Sequence, residues 1–444
     1  MGSALLTDLY ELNMAASYLR RGMTAPATFS LFVRNLPQSW GFLVACGLNR
    51  CLEFVESLTF TKDDLAYLRS ELGFPTETIN SFRRLRFTGQ VHAVPEGRVV
   101  FADEPLLEVT APLPEAQLVE TYLLNQITYQ TAVASKAARC RIAAPDRSMV
   151  DFSFRRVHGV EASLGVARAT AIVGFEATSN VEAARRLGLR PTGTMAHSYI
   201  EAFPTEIEAF RAYAEDFPGQ VTLLVDTYDT AQGVDKAVRV FRELRDRGGD
   251  WAAIRLDSGD LESLARHARK ALDQADLHDV QILASGNLDE HEISRLQRAD
   301  APIDAYGVGT KIGTSADAPH VDSVYKLVEY DGKPVAKLSA AKRTLPGPKQ
   351  VWRARDMTGD VISLRSEGGP PGAEPLLEEV VSGGKRLARV SLADARDRFD
   401  ADFNRLPDSL RSLTPQPYPV DHTPALQRLS EDVRNRIAQR ELGP

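Results

Sequence analysis

Residues 221–260 read VTLLVDTYDTAQGVDKAVRVFRELRDRGGDWAAIRLDSGD. Two short apolar runs, Val221–Asp226 and Trp251–Asp257, enclose the stretch Thr230–Arg247, whose apolar residues recur every three and four positions. The recurrence marks a helix with one buried stripe, and the short runs, rich in β-branched residues, mark strands. Strand, helix and strand in succession belong to a parallel sheet whose crossover helices cover its faces.

The same alternation extends in both directions. Further strands are predicted at Ser148–Phe152, Ala171–Phe175, Pro191–Ala196, Val280–Ser285 and Ile303–Gly309, and a further helix at Leu261–Ala275. That makes seven strands where an ideal barrel has eight, so the fold class predicted is α/β with an irregular (β/α) barrel. The flanks read differently. Gly89–Val109 alternates like an antiparallel sheet, and Val324–Arg365 returns to that style with Asp331-Gly332 as a hairpin turn. One α+β domain, the smaller of two and assembled from both chain ends, accounts for this, with Leu118–Ala144 as a linking helix. The predicted divisions are 1–114 and 321–410 for that domain, 115–320 for the barrel, and 411–444, with Pro415, Pro417 and Pro419, for a surface arm ending in a charged helix to Leu442.

At 444 residues, with 43% hydrophobic and 25% charged residues, the composition excludes disorder, collagen and coiled coil. No apolar run is long enough to span a bilayer, and Met1 to Leu12 soon meets Asp8 and Glu11, unlike a secretory signal. Cys46, Cys51 and Cys140 are odd in number and fit no zinc spacing, so reduced thiols in a cytoplasm are expected. With 53 Lys plus Arg against 60 Asp plus Glu, a net charge of −7, the chain has no global basic field for nucleic acid. Anionic ligands must be held by local donors.

In a βα barrel those donors collect at the carboxyl ends of the strands. Polar residues recur there: Asp151 and Arg155, Thr178-Ser179-Asn180, Thr194 and His197, Asp226-Thr227, Arg255 with Asp257-Ser258-Gly259-Asp260, Ser285-Gly286-Asn287, and Gly307-Val308-Gly309-Thr310. Taken singly, each serves equally well as a helix cap; Asp257 or Ser258 before Leu261 and Asn287 before His291 are examples. Their coincidence on successive loops favours a site. The two late glycine loops, near acidic Asp257 and Asp260 able to order a hydrated magnesium ion, suit phosphate. His197 ends a strand where Asp226 is expected to orient its ring, which makes it a general base or a nucleophile.

Several of these segments also carry a family resemblance. Thr7-Asp8-Leu9-Tyr10-Glu11-Leu12, Phe154-Arg155-Arg156, Thr178-Ser179-Asn180-Val181, Gly193-Thr194-Met195-Ala196-His197-Ser198, Asp257-Ser258-Gly259-Asp260-Leu261, Ser285-Gly286-Asn287-Leu288, Gly307-Val308-Gly309-Thr310-Lys311 and the closing Thr344–Val351 run resemble, in order, those of nicotinate phosphoribosyltransferases. The resemblance extends to about Arg353. Ser153 stands where the family usually has glycine, and Val160-Glu161 where some members carry Pro-Asp. Both departures touch a loop edge.

The resemblance implies a type II phosphoribosyltransferase fold and a ligase-type reaction of NAD salvage. Nicotinate and 5-phosphoribosyl-1-diphosphate (PRPP) give nicotinate mononucleotide and diphosphate, coupled to ATP hydrolysis through a phosphohistidine matched by His197. It implies that Tyr10, Thr194 and Arg255 contact nicotinate, that Thr310 contacts PRPP, and that the chain is a homodimer whose Tyr10 reaches the neighbour's site. A flat anion suits aromatic faces and a cationic clamp, for which Phe152 and Tyr10, and Arg155 or Arg255, are the candidates. Asp257, Ser258, Ser285, Gly286, Asn287, Gly307, Gly309 and Thr310 are the expected PRPP set, with magnesium through Asp226 or Asp257 for the leaving diphosphate.

Ser179 separates the nearest rival. Nicotinamide phosphoribosyltransferases, which the chain also resembles around Phe175–Val181, carry an aspartate there. An aspartate accepts from an amide and repels a carboxylate, so Ser179 favours the acid. A quinolinate-type transferase would require a denser basic pocket, and a sugar-phosphate aldolase a lysine inside a strand, absent from the seven runs. A binding relative without turnover is disfavoured by the presence of His197, Asp226, Asp257 and Thr310 together.

Overall fold

A computed structural model of the chain describes residues 4–219, 221–249, 252–338, 344–387, 389 and 391–443. Packing divides it into two units, Lys136–Asp317 and the combination of Met1–Ser135 with Ala318–Pro444. The unit expected to be the smaller is therefore the larger.

Lys136–Asp317 holds seven parallel strands: β1 (Ser148–Asp151), β2 (Ala177–Thr178), β3 (Arg190–Pro191), β4 (Val221–Leu224), β5 (Ala252–Leu256), β6 (Gln281–Ala284) and β7 (Ala305–Val308). Their order is β3-β2-β1-β7-β6-β5-β4. Since β7 pairs with β1, the strands follow the cyclic order of a barrel, with no pairing between β3 and β4 among the described residues. The core strands are buried along most of their length. Helix Thr230–Asp246 is capped by Asp229, whose side chain accepts from Gln232 N, and it buries Val234, Ala237, Phe241 and Leu244 as the sequence periodicity requires. It lies so close to the sheet that a Cβ on Gly233 would stand 2.0 Å from the Val225 carbonyl oxygen.

Two strand expectations are corrected. The predicted strand Ala171–Phe175 is instead the end of helix Val160–Ile172 and the turn after it, where Gly174 has φ +98° and Phe175 N donates to Thr170 O. An apolar run buried all round has no periodicity by which to distinguish helix from strand. Of Pro191–Ala196 only Pro191 pairs, in a two-residue strand with Arg190 before it, and the rest runs as irregular backbone. Trp251, expected to open β5, lies outside the described residues, as do residues 339–343 of the expected Val324–Arg365 stretch.

The other unit is built from both flanks. One seven-stranded sheet runs Lys333–Pro334, Ser323–Tyr330, Pro26–Val33, Pro105–Pro112, Gln90–Ala93, Glu378–Ser382 and Lys385–Arg386, antiparallel throughout. Asp331 (φ +51°) and Gly332 (φ +67°) form the expected hairpin turn. The tail is more than the expected surface arm. Val420–His422 adds a parallel strand beside Asp360–Leu364, and helix Pro424–Leu442 buries Leu426 and Val433. Helix Glu120–Ala143 occupies most of the predicted Leu118–Ala144.

Candidate active site

The carboxyl end of β5 organises the site through Arg255. Its Nε donates to Ser285 Oγ (2.7 Å), Nη1 to Thr194 Oγ1 (3.0 Å) and Nη2 to Asp257 Oδ1 (2.6 Å). Its Cζ lies 5.3 Å from the centroid of the Phe152 ring. One guanidinium thus gathers side chains from the loops after β1, β3, β5 and β6. A planar cation with five N–H donors in a fixed fork is suited to this, and two of the five have no protein partner among the described residues.

Asp257 Oδ1 also accepts from Ser285 Oγ at 2.5 Å. Burial opposes its charge, but the Ser285 hydroxyl and the Arg255 guanidinium prevail and hold its carboxyl below the usual carboxylate range. It therefore stays a fixed negative charge at neutral pH.

Asp226, expected to orient His197, is engaged elsewhere. Its Oδ2 accepts from Ser258 Oγ (2.5 Å) and Asp257 N (3.2 Å), and its Oδ1 is buried without a hydrogen-bond partner among the described residues. The hydroxyl of Thr227 takes the expected place, 3.1 Å from His197 Nδ1. Thr227 follows Asp226 directly, but strand-end position alone does not tell which of two adjacent residues turns toward a neighbouring loop. The caps also differ from the sequence expectation. Asp260 is the N-cap residue of helix Leu261–Asp273 and Asp289 caps helix Glu290–Arg298, which leaves Asp257, Ser258 and Asn287 out of that role.

Glycine is required where loops meet. Gly286 has φ +91°, and a Cβ there would stand 1.8 Å from the Asp257 carbonyl oxygen. A Cβ on Gly307 would stand 2.5 Å from the Phe152 ring. Asn287 follows in the left-handed region at φ +53° and is exposed, as is Thr310. Gly309 is half-buried and approaches the Phe152 carbonyl.

Ser179 is half-buried, with its N–H on Asp151 O. Beside it the buried Asp151 accepts from Thr178 Oγ1 (2.8 Å) and Ser153 N (2.9 Å), a pairing that fixes the ends of β1 and β2. Asn180 caps helix Val181–Leu187 through Ala183 N. Ser153, the departure from the family pattern, is buried, and a Cβ on Gly313 would stand 2.6 Å from its own Cβ. Arg155 is exposed on the turn Phe154–Arg156. Tyr10 belongs to helix Leu9–Arg20 of the other unit, where burial and then the charges of Glu120 and Glu11 push its hydroxyl pKa up. Glu11 is itself raised to about 7 by burial, against hydrogen bonds from Thr121 and Thr7.

Three family models match the chain: the nicotinate phosphoribosyltransferase N-terminal domain over residues 5–128, the nicotinate phosphoribosyltransferase family over 147–348 and the nicotinate phosphoribosyltransferase C-terminal domain over 323–430. The chain is 44% identical over 424 residues to nicotinate phosphoribosyltransferase pncB2 of Mycobacterium tuberculosis, a match covering 94% of this chain and 91% of that one. The chain belongs to the nicotinate phosphoribosyltransferase family. The nicotinate phosphoribosyltransferase of Bacillus subtilis is 45% identical over 377 residues, 82% of this chain and 76% of its own. The crystal structure of human nicotinic acid phosphoribosyltransferase superposes with a TM-score of 0.85 at 29% identity, covering 96% of this chain and 99% of that one. The strand-end cluster described above falls within residues 147–348, the stretch matched by the family model.

Proposed function

We propose that this chain joins nicotinate to PRPP, giving nicotinate mononucleotide and diphosphate. The observation that carries this is Arg255, fixed by three hydrogen bonds and set against Phe152, with two N–H donors left for an anion. A planar aromatic carboxylate suits that pairing of ring and fork. The pyridine nitrogen is already a nucleophile. Its lone pair forms the bond to the anomeric carbon as the bond to diphosphate breaks, so no strong base is needed. The loops Ser285–Asn287 and Gly307–Thr310, which leave Asn287 and Thr310 exposed at the same edge, would hold the donor's phosphates.

A divalent cation such as magnesium fits the same edge. Asp226 Oδ1 is a buried carboxylate oxygen with no hydrogen-bond partner among the described residues, and Asp257 is its neighbour. Magnesium is commonly held by one or two carboxylates together with substrate phosphates, so a protein cage of many ligands is not required. When bound, the ion would supply charge stabilisation to the departing diphosphate.

ATP coupling through His197 is part of the proposal. The ring is held by Thr227, whose hydroxyl lies 3.1 Å from Nδ1, and an imidazole nitrogen is a nucleophile able to accept a phosphoryl group. Product formation from nicotinate and from nicotinamide, each with and without ATP, tests the reading. Nicotinate should be the better substrate, with turnover raised by ATP. His197→Asn should abolish the acid-labile phosphoprotein and the effect of ATP while a slow, ATP-independent transfer persists. Phosphoprotein still forming in that variant would remove His197 from the role.

Ser179 is proposed to set the preference for acid over amide. Ser179→Asp is expected to lower kcat/KM for nicotinate by about 10- to 100-fold through a desolvated like-charge contact. Nicotinate kinetics equal to those of the parent chain would place Ser179 outside the pocket. A homodimer sharing Tyr10 across its interface belongs to the same reading, supported by the exposed Leu6, Leu9 and Tyr10 at the start of the chain. No helix among the described residues is long and apolar enough to cross a membrane. A reducing, cytoplasmic setting is proposed on the three cysteines, all buried.

A further inference from the structure

We propose that Asp289 is a positioning residue for the phosphoribosyl donor: through Lys311 it clasps the loop after β6 to the loop after β7, so that the two glycine-rich loops keep one spacing before substrate arrives. The inference rests on the reading of those loops as the donor's phosphate site.

Both oxygens of Asp289 are committed. Oδ1 accepts from the N–H groups of His291 (3.0 Å) and Glu292 (2.9 Å) and so caps helix Glu290–Arg298, which the Ser285–Asn287 loop leads into. Oδ2 accepts from Lys311 Nζ at 2.7 Å. Lys311 closes the Gly307–Lys311 run, where a cation next to a glycine loop would be expected to face phosphate. The ion pair turns it to the neighbouring loop instead.

The next residue makes a second tie. Glu290 is fully buried and pairs with Lys136 (2.7 Å) and Arg139 (2.8 Å), and Lys136 also pairs with Asp317 beyond the β7 loop. Adjacent acids on one helix start thus make two ties, one through a buried cluster and one through the Lys311 clasp. Burial sets the Asp289 carboxyl against its charge, yet Lys311 and the helix N–H groups hold it below the usual range, so the clasp is charged at neutral pH. Loops held at one spacing lose less freedom when they bind, and the effect falls on affinity.

The test compares Asp289→Asn, Lys311→Met and the double variant in the full-length enzyme by steady-state kinetics with PRPP varied. Asparagine retains the cap acceptor and removes only the ion pair. Each single variant should raise KM for PRPP by about five- to tenfold, with kcat within about twofold, the nicotinate KM unchanged, and no further rise in the double variant. A lowered PRPP KM in Asp289→Asn would overturn the clasp, since it would mean that the freed Lys311 serves the phosphate directly. So would an additive double variant. Thr310→Ala separates this inference from the reading beneath it. If Thr310→Ala raises the PRPP KM while Asp289→Asn does not, the clasp alone fails; if neither does, the loops are not the donor site.

Discussion

Arg255→Lys is expected to lower kcat/KM for nicotinate by about 100- to 1000-fold. The guanidinium reaches Ser285, Thr194 and Asp257 at once because three nitrogens lie in one plane, and that plane stands against the Phe152 ring. An ammonium is a point charge on a flexible stem. It can satisfy one of the three partners, and where that partner is not Asp257 the carboxylate keeps the Ser285 hydroxyl but loses its hydrogen bond to the cation. Losing two charge-assisted hydrogen bonds at the lower end of the usual range, about 1.5–2 kcal/mol each, amounts to two or three factors of ten in rate. The loss should appear in kcat/KM for nicotinate, with a smaller change in the KM for PRPP. A lysine variant within about fivefold of the parent enzyme would show that orientation of this cation does not govern the reaction.

This part of the site was legible in outline before any coordinates. Arg255, Asp257, Ser285 and Thr194 fall at strand ends, and the alternation of β and α places strand ends on one edge. The sequence could not show which side chains turn toward each other. Asp226 and Thr227 are adjacent, and the pairing with His197 fell to Thr227 because Asp226 is turned to Ser258 and the Asp257 N–H. Nor did periodicity separate helix from strand at Ala171–Phe175, because that helix is buried on every side and has no polar stripe. Asp289 was hidden for the opposite reason. An aspartate before a helix reads as a cap, and it is one, but its second oxygen is committed to a lysine 22 residues away. The flanking unit was legible as two halves of one domain from its hairpin and turn residues, whereas the buried charges that join the halves leave no periodic trace.

Those charges make the strongest stability prediction. Arg353 is fully buried and lies 5.4 Å from the Phe101 ring centroid. It pairs with Asp360 at 2.6 Å, with Asp402 at 3.4 Å and with Glu104 at 3.8 Å, and its Nη1 donates to Val99 O at 2.6 Å. Glu104 comes from the leading flank and Asp360 and Asp402 from the trailing one, so a single cation staples segments separated by the whole barrel sequence. Burial and the neighbouring Asp360 hold the Glu104 carboxyl well above its usual range, and Arg353 counters them only in part. Removing the cation leaves buried acids without their partner, which is costlier than the pair was worth. Arg353→Met is expected to destabilise the protein by about 3–5 kcal/mol, read as a fall in the denaturant midpoint at constant slope. Arg98 and Arg405 also pair with Asp402, so the uncompensated charge should be chiefly that of Asp360. Arg353→Met combined with Asp360→Asn should therefore recover a substantial part of the loss, since it removes the stranded charge and retains a side chain able to accept from Tyr418, whose hydroxyl donates to Asp360 at 2.8 Å. Additive losses in the double variant would mean that Arg353 stabilises the unit by packing against Phe101 rather than by joining the charges of its two flanks.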